Sequence, residues 1–126
     1  MKILFTIFFL FLSASVLAEC ISGDCDNGYG TYIWSNGSKY DGEWKNNSMD
    51  GQGTLTDSNG GKYVGGYKND LRHGLGFVTF GIGEWEGDKY LGEYKNDLFH
   101  GRGTYIFSGG QVITSIFKNG ELVSEN

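Results

Sequence analysis

The chain has 126 residues, 22 glycines, no proline, 16% aromatic residues and a formal net charge of −5. That length suits one domain. An acidic chain with no basic block is poorly matched to nucleic acid, whose binding depends on neutralising phosphates, so no nucleic-acid partner is expected.

Lys2 opens the chain, Ile3 to Leu12 is apolar apart from Thr6, and Ser13 to Ala18 is small and weakly apolar. Val16-Leu17-Ala18 fits a small-residue cleavage site, which predicts a signal peptide over 1–18 and a secreted or periplasmic protein. As an anchor, the uncharged run from Ile3 to Ala18 is 16 residues long, short of the roughly 20 needed to span a bilayer. Glu19 stands where a lipoprotein signal carries a small residue, so lipid attachment at Cys20 is not expected. Loss of Lys2 leaves the remainder more acidic still, which disfavours adsorption to anionic lipid.

Residues 19–27 form an N-terminal segment holding the only two cysteines, Cys20 and Cys25. In an export compartment they are predicted to pair as a disulfide. A redox or metal role is disfavoured, because no second Cys pair follows. The run from Asp24 to Gly28 reads as a turn, since a calcium loop would place its glycine one position later and Glu at position 35, where Ser35 stands.

From residue 28 to 120 the chain repeats itself. Tyr40-Asp-Gly42-Glu-Trp44-Lys45-Asn46 returns as Tyr63-Val-Gly65-Gly-Tyr67-Lys68-Asn69 and as Tyr90-Leu-Gly92-Glu-Tyr94-Lys95-Asn96. Each copy is followed by a Gly-x-Gly pair: Gly51/Gly53, Gly74/Gly76 and Gly101/Gly103. The offsets are 23 and 27 residues, so one repeat carries a four-residue insertion. Fixed-period self-similarity marks a stacked architecture in which each unit packs on its neighbours. No 3.6-residue apolar period is present beyond residue 18, whereas period-two alternation is clear in every repeat. Tyr40, Gly42 and Trp44 fall on one face, with Asp41 and Glu43 on the other. The return segment puts Gly74, Gly76, Val78 and Phe80 together, after a polar turn from Lys68 to Gly74.

The expected fold is all-β: stacked antiparallel β-hairpins forming one elongated twisted sheet. Its glycines need a reason, because glycine inside a strand costs stability. Packing supplies it: a flat ring covers the bare backbone of a glycine on the same face. Trp44, Tyr67, Tyr94 and Phe117 should form one ladder on this face, and Tyr32, Leu55, Val78 and Tyr105 another. Strict alternation places Gly65 on the crowded Tyr63/Tyr67 face and Gly66 on the open one, so Gly65→Val should unfold the protein far more readily than Gly66→Val. Gly28 to Trp34 and Ile113 to Gly120 are partial repeats, as terminal caps are expected to be. Residues 121–126 are left as a C-terminal tail.

Residues 28–120 resemble MORN repeats (membrane occupation and recognition nexus), whose pattern is Tyr-x-Gly-x-Trp/Tyr followed by Gly-x-Gly about seven residues on. The resemblance implies an elongated, curved sheet of hairpins and roles in protein–protein contact, assembly and association with phospholipid. Some relatives attach a catalytic domain, for which this chain has no room.

His73 and His100 occupy equivalent repeat positions, and adjacent repeats lie roughly 10 Å apart. That is too far for one metal to bridge them, and the resemblance, in which histidine is frequent at this place, implies turn chemistry for both. Lys45, Lys68, Lys95 and Lys118 form a row of the same pitch, blunted by Asp41, Glu43 and Glu93 beside it. Glu84-Trp85-Glu86, in the insertion, is the candidate partner contact, since aromatic anchors dominate interface energetics; the other reading folds Trp85 back onto the stack. No Gly-x-Ser-x-Gly, Walker or His-Glu-x-x-His motif is present, so no catalytic residue, metal or cofactor is expected. The chain reads as an exported, non-catalytic scaffold with a protein partner not named by the sequence, and its sheet edges favour self-association. The alternative is a peripheral phospholipid-binding module, which the acidic balance disfavours.

Overall fold

The computed structural model describes residues 17–125, so nearly all of the leader assigned to residues 1–18 lies outside the described residues. Ten strands follow in order: β1 Glu19–Gly23, β2 Gly28–Ile33, β3 Lys39–Lys45, β4 Ser48–Thr56, β5 Lys62–Lys68, β6 Leu71–Thr79, β7 Lys89–Lys95, β8 Leu98–Ile106, β9 Val112–Lys118 and β10 Glu121–Glu125. Each pairs antiparallel with the next, giving one open ten-stranded sheet in strict sequence order. The all-β stack of hairpins expected from the repeat is what the chain forms.

Two kinds of connection alternate along the sheet. Within a repeat, the strands reverse through two residues in the left-handed region: Asn46-Asn47 (φ 48° and 65°), Asn69-Asp70 (50° and 68°), Asn96-Asp97 (48° and 73°) and Asn119-Gly120 (50° and 84°). Asn, Asp and Gly are the residues that tolerate this geometry, and its twist matches that of the flanking strands. The polar turn expected from Lys68 to Gly74 is therefore far shorter. Lys68 pairs with Leu71 and Tyr67 with Arg72, so Leu71 and the residues after it are strand. The extra length is absorbed by a bulge, at which the register shifts between Gly65 and Tyr67. Equivalent bulges lie between Gly42 and Trp44 and between Gly92 and Tyr94.

Between repeats the loops are longer. Each is closed by a pair of backbone bonds such as Asp57 N to Gly61 O (2.8 Å) and Gly60 N to Asp57 O (3.0 Å). The four-residue insertion enlarges one of these loops without opening it. Phe80 N still bonds to Asp88 O at 2.9 Å, and Gly87, at φ 83°, bonds back to Phe80 O at 3.0 Å.

One face of the sheet carries the rings. Trp44, Tyr40, Tyr67, Tyr63, Tyr94, Tyr90 and Phe117 form an unbroken zigzag, each ring meeting the next nearly edge to face at centroid distances of 5.1 to 5.5 Å. Contacts within a strand alternate with contacts to the next repeat, so the same geometry binds each hairpin internally and to its neighbour. The predicted ladder of Trp44, Tyr67, Tyr94 and Phe117 is buried. Tyr40 and Tyr90 are fully buried, their hydroxyls donating to the carbonyls of Glu43 (3.0 Å) and Glu93 (2.9 Å). The turns stitch the repeats together as well. Asp70 N bonds Met49 O (3.0 Å) while the Asp70 carboxylate accepts from Met49 N (2.8 Å), and Asp97 does the same for Arg72.

Gly66 keeps its expected face, but that face is not open there. It is buried, and a β-carbon there would collide with the carbonyl of His73, because the bulge brings that backbone over it. The sheet also runs past the repeat-based boundaries at both ends. Glu19–Gly23 pairs with β2, and Glu121–Glu125, set aside as a tail, pairs with β9. Cys20 and Cys25 are joined as a disulfide, tying β1 to the turn before β2. The Asp24 side chain accepts from the amides of Asp26 (3.0 Å) and Asn27 (2.9 Å), so this segment is the turn expected of it.

Candidate functional site

The ring-bearing face is not uniform. Toward its C-terminal half the strands supply an open apolar groove of about 540 Å³. Its walls are Phe80, Trp85, Phe99, Tyr105, Phe107 and Phe117, with Leu98, Ile113 and Leu122 between them and the Arg72–Asp97 pair at one end. The stacking of Phe99 on Tyr90 (3.8 Å between centroids, 13° between planes) fixes the floor.

Trp85 stands at the rim. Its ring lies 6.0 Å from that of Phe80, yet 56% of the residue is exposed, and Glu84 and Glu86 on either side are exposed too. This tryptophan rests against the stack and still presents a surface. The loop beneath it is anchored by Asp88, whose carboxylate accepts from the Tyr105 hydroxyl at 2.6 Å and the Ser108 amide at 2.8 Å. Those two bonds hold the Asp88 carboxyl below the usual carboxylate range.

Arg72 places a charged side chain among the rings, and its position was not singled out from the sequence. The equivalent residues of neighbouring repeats are Met49, Phe99 and Leu122, each opposite an aromatic residue of the facing strand. The Arg72 guanidinium lies over the rings of Tyr94 (5.1 Å) and Tyr63 (5.8 Å) and bonds Asp97 Oδ1 at 2.9 Å. Burial opposes its charge, but Asp97 outweighs that and raises its pKa above the usual value. Burial also raises the phenols beneath it, Tyr63 to about 12 and Tyr67 and Tyr94 further.

The opposite face is different in kind. His73 and His100 lie within β6 and β8, not in turns, because those strands begin directly after the two-residue reversals. They line one shallow concavity with Gly74, Leu75, Glu93, Tyr94 and Lys95. Both Nδ1 atoms are buried without a hydrogen-bond partner among the described residues. No group of three or more His, Cys, Asp or Glu side chains among the described residues could hold a metal ion. Glu43 accepts from the Gln52 amide, and the Glu93 carboxylate lies over Gly101, so each caps the backbone of a bulge.

The structural repeat positions Tyr40, Gly42, Trp44, Gly53, Tyr63, Gly65, Tyr67, Gly76, Tyr90, Gly92, Tyr94 and Gly103 converge on the ring-bearing face. Gly51, Gly74 and Gly101 instead mark the bulges, with φ of 101°, 80° and 69°.

A single-layer meander of aromatic and glycine hairpins defines a solenoid-like β-repeat protein. The MORN repeat family model matches residues 27–39, 40–62, 63–85 and 90–112, more than half of the chain, and the protein belongs to that family. The gap between the last two matches coincides with the insertion beside Trp85. No curated relative matches the chain in sequence.

Proposed function

We propose that the protein is an exported, non-catalytic scaffold that holds a protein partner on its aromatic face, in the groove beside Trp85. The observation that carries this reading is the groove itself. It is of a size that holds side chains or a small ligand, it is walled by six aromatic rings, and Trp85 stands exposed at its rim. Burying such rings is the commonest source of interface energy. MORN repeats are compatible with interaction and with membrane association alike, and the apolar lining with one neutralised ion pair favours a protein. The Cys20–Cys25 disulfide is compatible with an oxidising extracellular or periplasmic location.

The test is photo-crosslinking in the native cell, with probes replacing Trp85 and Phe107 in the groove and the distant, exposed Tyr29 as control. A discrete protein adduct at Trp85 and Phe107 but not at Tyr29 supports the scaffold. Lipid adducts alone, or no adduct from a folded and exported protein, would remove the basis for it.

A further inference from the structure

The outer face carries a second, independent pattern. All seven lysines beyond residue 18 alternate with the inward rings and so stand on this face, and all are exposed. Lys39, Lys62 and Lys89 begin strands β3, β5 and β7; Lys45, Lys68, Lys95 and Lys118 end strands β3, β5, β7 and β9. Two parallel rows result, separated by the six residues from Lys62 to Lys68, roughly 20 Å of extended chain. Along each row the pitch is two strands, roughly 10 Å. Among the described residues none of these lysines forms an ion pair.

Between the rows runs an apolar strip. Val64 is paired with Phe77 and Phe77 with Leu91, and Leu75 lies beside them. They are exposed by 45%, 36%, 53% and 69% respectively. The central hairpin has no carboxylate on this side, since Gly66 stands where the flanking repeats have Glu43 and Glu93. Those two glutamates lie against bulge backbone, Glu43 accepting from the Gln52 amide and Glu93 over Gly101.

We infer that this face docks an acidic amphipathic α-helix of a partner protein, lying across the strands. A helix is about 10 to 12 Å wide and fits between the rows, and two helical turns rise about 11 Å, close to the lysine pitch. Apolar residues on its underside cover Val64, Phe77 and Leu91, while carboxylates at every second turn on both flanks meet Lys62 and Lys89 on one side and Lys68 and Lys95 on the other. A planar anionic membrane suits the face less well. Glu43 and Glu93 are exposed between the two lysine rows, where a flat anionic surface would meet like charge. This docking does not depend on the groove beside Trp85.

The test uses two labelled helical peptides of about 21 residues, enough to cross the row of four lysines. Both carry leucines along one side. One has glutamates at every seventh position on both flanks; the other has the same glutamates moved opposite the leucines. Fluorescence anisotropy with the purified protein should show the flanked peptide binding more tightly, with affinity falling as salt rises. Lys62→Glu with Lys89→Glu should weaken it by about tenfold or more, Leu75→Ser with Leu91→Ser should weaken it too, and Trp85→Ala should leave it unchanged. Absent or equal binding of the two peptides overturns the inference, as does unchanged binding by a lysine double variant that melts like the parent. Cosedimentation with phosphatidylglycerol–phosphatidylcholine vesicles that the flanked peptide does not displace would assign the face to a membrane instead.

Discussion

Tyr63 lies over Gly76 on the neighbouring strand, its hydroxyl donating 2.9 Å to the carbonyl of Gly66, and a β-carbon on Gly76 would collide with the ring. Tyr40 stands in the same relation to Gly53, and Tyr90 to Gly103. The repeat's glycines and tyrosines are thus one device: the ring closes over bare backbone, and the hydroxyl satisfies a carbonyl at the bulge. Gly76→Ala should destabilise the protein by about 2 kcal/mol, as overpacking a tight interior does. Gly109→Ala, in an exposed loop with nothing near its β-position, should leave the urea midpoint within error of the parent. Equal midpoints for the two variants would sink this account.

Arg72 sits where the neighbouring repeats place Met49, Phe99 and Leu122, so its charge is not needed to build the stack. Arg72→Met removes one partner only, but Asp97 is 44% exposed and keeps its bond from the residue 72 amide, and ion pairs this open to solvent contribute little. Arg72→Met should therefore unfold within about 1 kcal/mol of the parent. Asp97→Ala leaves the cation among the rings and removes the cap on the Arg72 amide, and should cost more. Urea unfolding of both variants checks the order, and a reversed order would show that Arg72 contributes through its own packing on Tyr63 and Tyr94.

The hairpins, the ring-bearing face and the Cys20–Cys25 pair were legible because each rests on local chemistry: period-two alternation, glycine beside an aromatic, two thiols within a short turn. What was not legible depends on pairing across strands. Nothing in Lys68 to Gly74 distinguishes a long turn from a two-residue reversal followed by a bulge, and the bulge is what makes Gly66 as crowded as Gly65. Glu121–Glu125 lacks the repeat signature, yet it pairs because Phe117 presents an open edge to Leu122. The lysine row ending the strands was visible, whereas Lys39, Lys62 and Lys89 escaped notice as a second row. A chain with no basic block in sequence becomes cationic on one face only when residues 23 or 27 positions apart are laid side by side. Glu84 to Glu86 could be marked as an unusual loop, but the groove behind Trp85 is assembled from β6 to β10 and has no linear signature.

High pH should unfold the sheet cooperatively. Burial pushes Tyr63 and Tyr90 up to about 12, and Tyr40, Tyr67, Tyr94 and Tyr105 are raised further. A folded pKa above the unfolded value of about 10 means stability that is complete below pH 10 and lost as pH rises through the folded values. Tyrosinate absorbance and far-ultraviolet circular dichroism should change together in this range. Gradual tyrosine ionisation with an unaltered dichroism spectrum would show that the phenols are not held by the fold.

At the acid end the group to watch is Asp88, because it fastens the loop that presents Trp85. Its folded pKa lies below the ordinary value, so its contribution is present above about pH 4 and is lost as pH falls through the folded value. Asp88→Asn keeps the shape but removes the charge that strengthens the bonds from the Tyr105 hydroxyl and the Ser108 amide. It should melt below the parent at pH 6, decline less steeply on acidification, and converge with the parent once Asp88 is protonated. If the groove takes its partner through Trp85, the variant should also bind more weakly at pH 6 than its stability alone accounts for, since a loosened loop no longer presents the ring in one place. Melting curves that run parallel from pH 6 to pH 2.5 would remove Asp88 from this role and leave the backbone bonds between Phe80, Gly87 and Asp88 as what holds the loop.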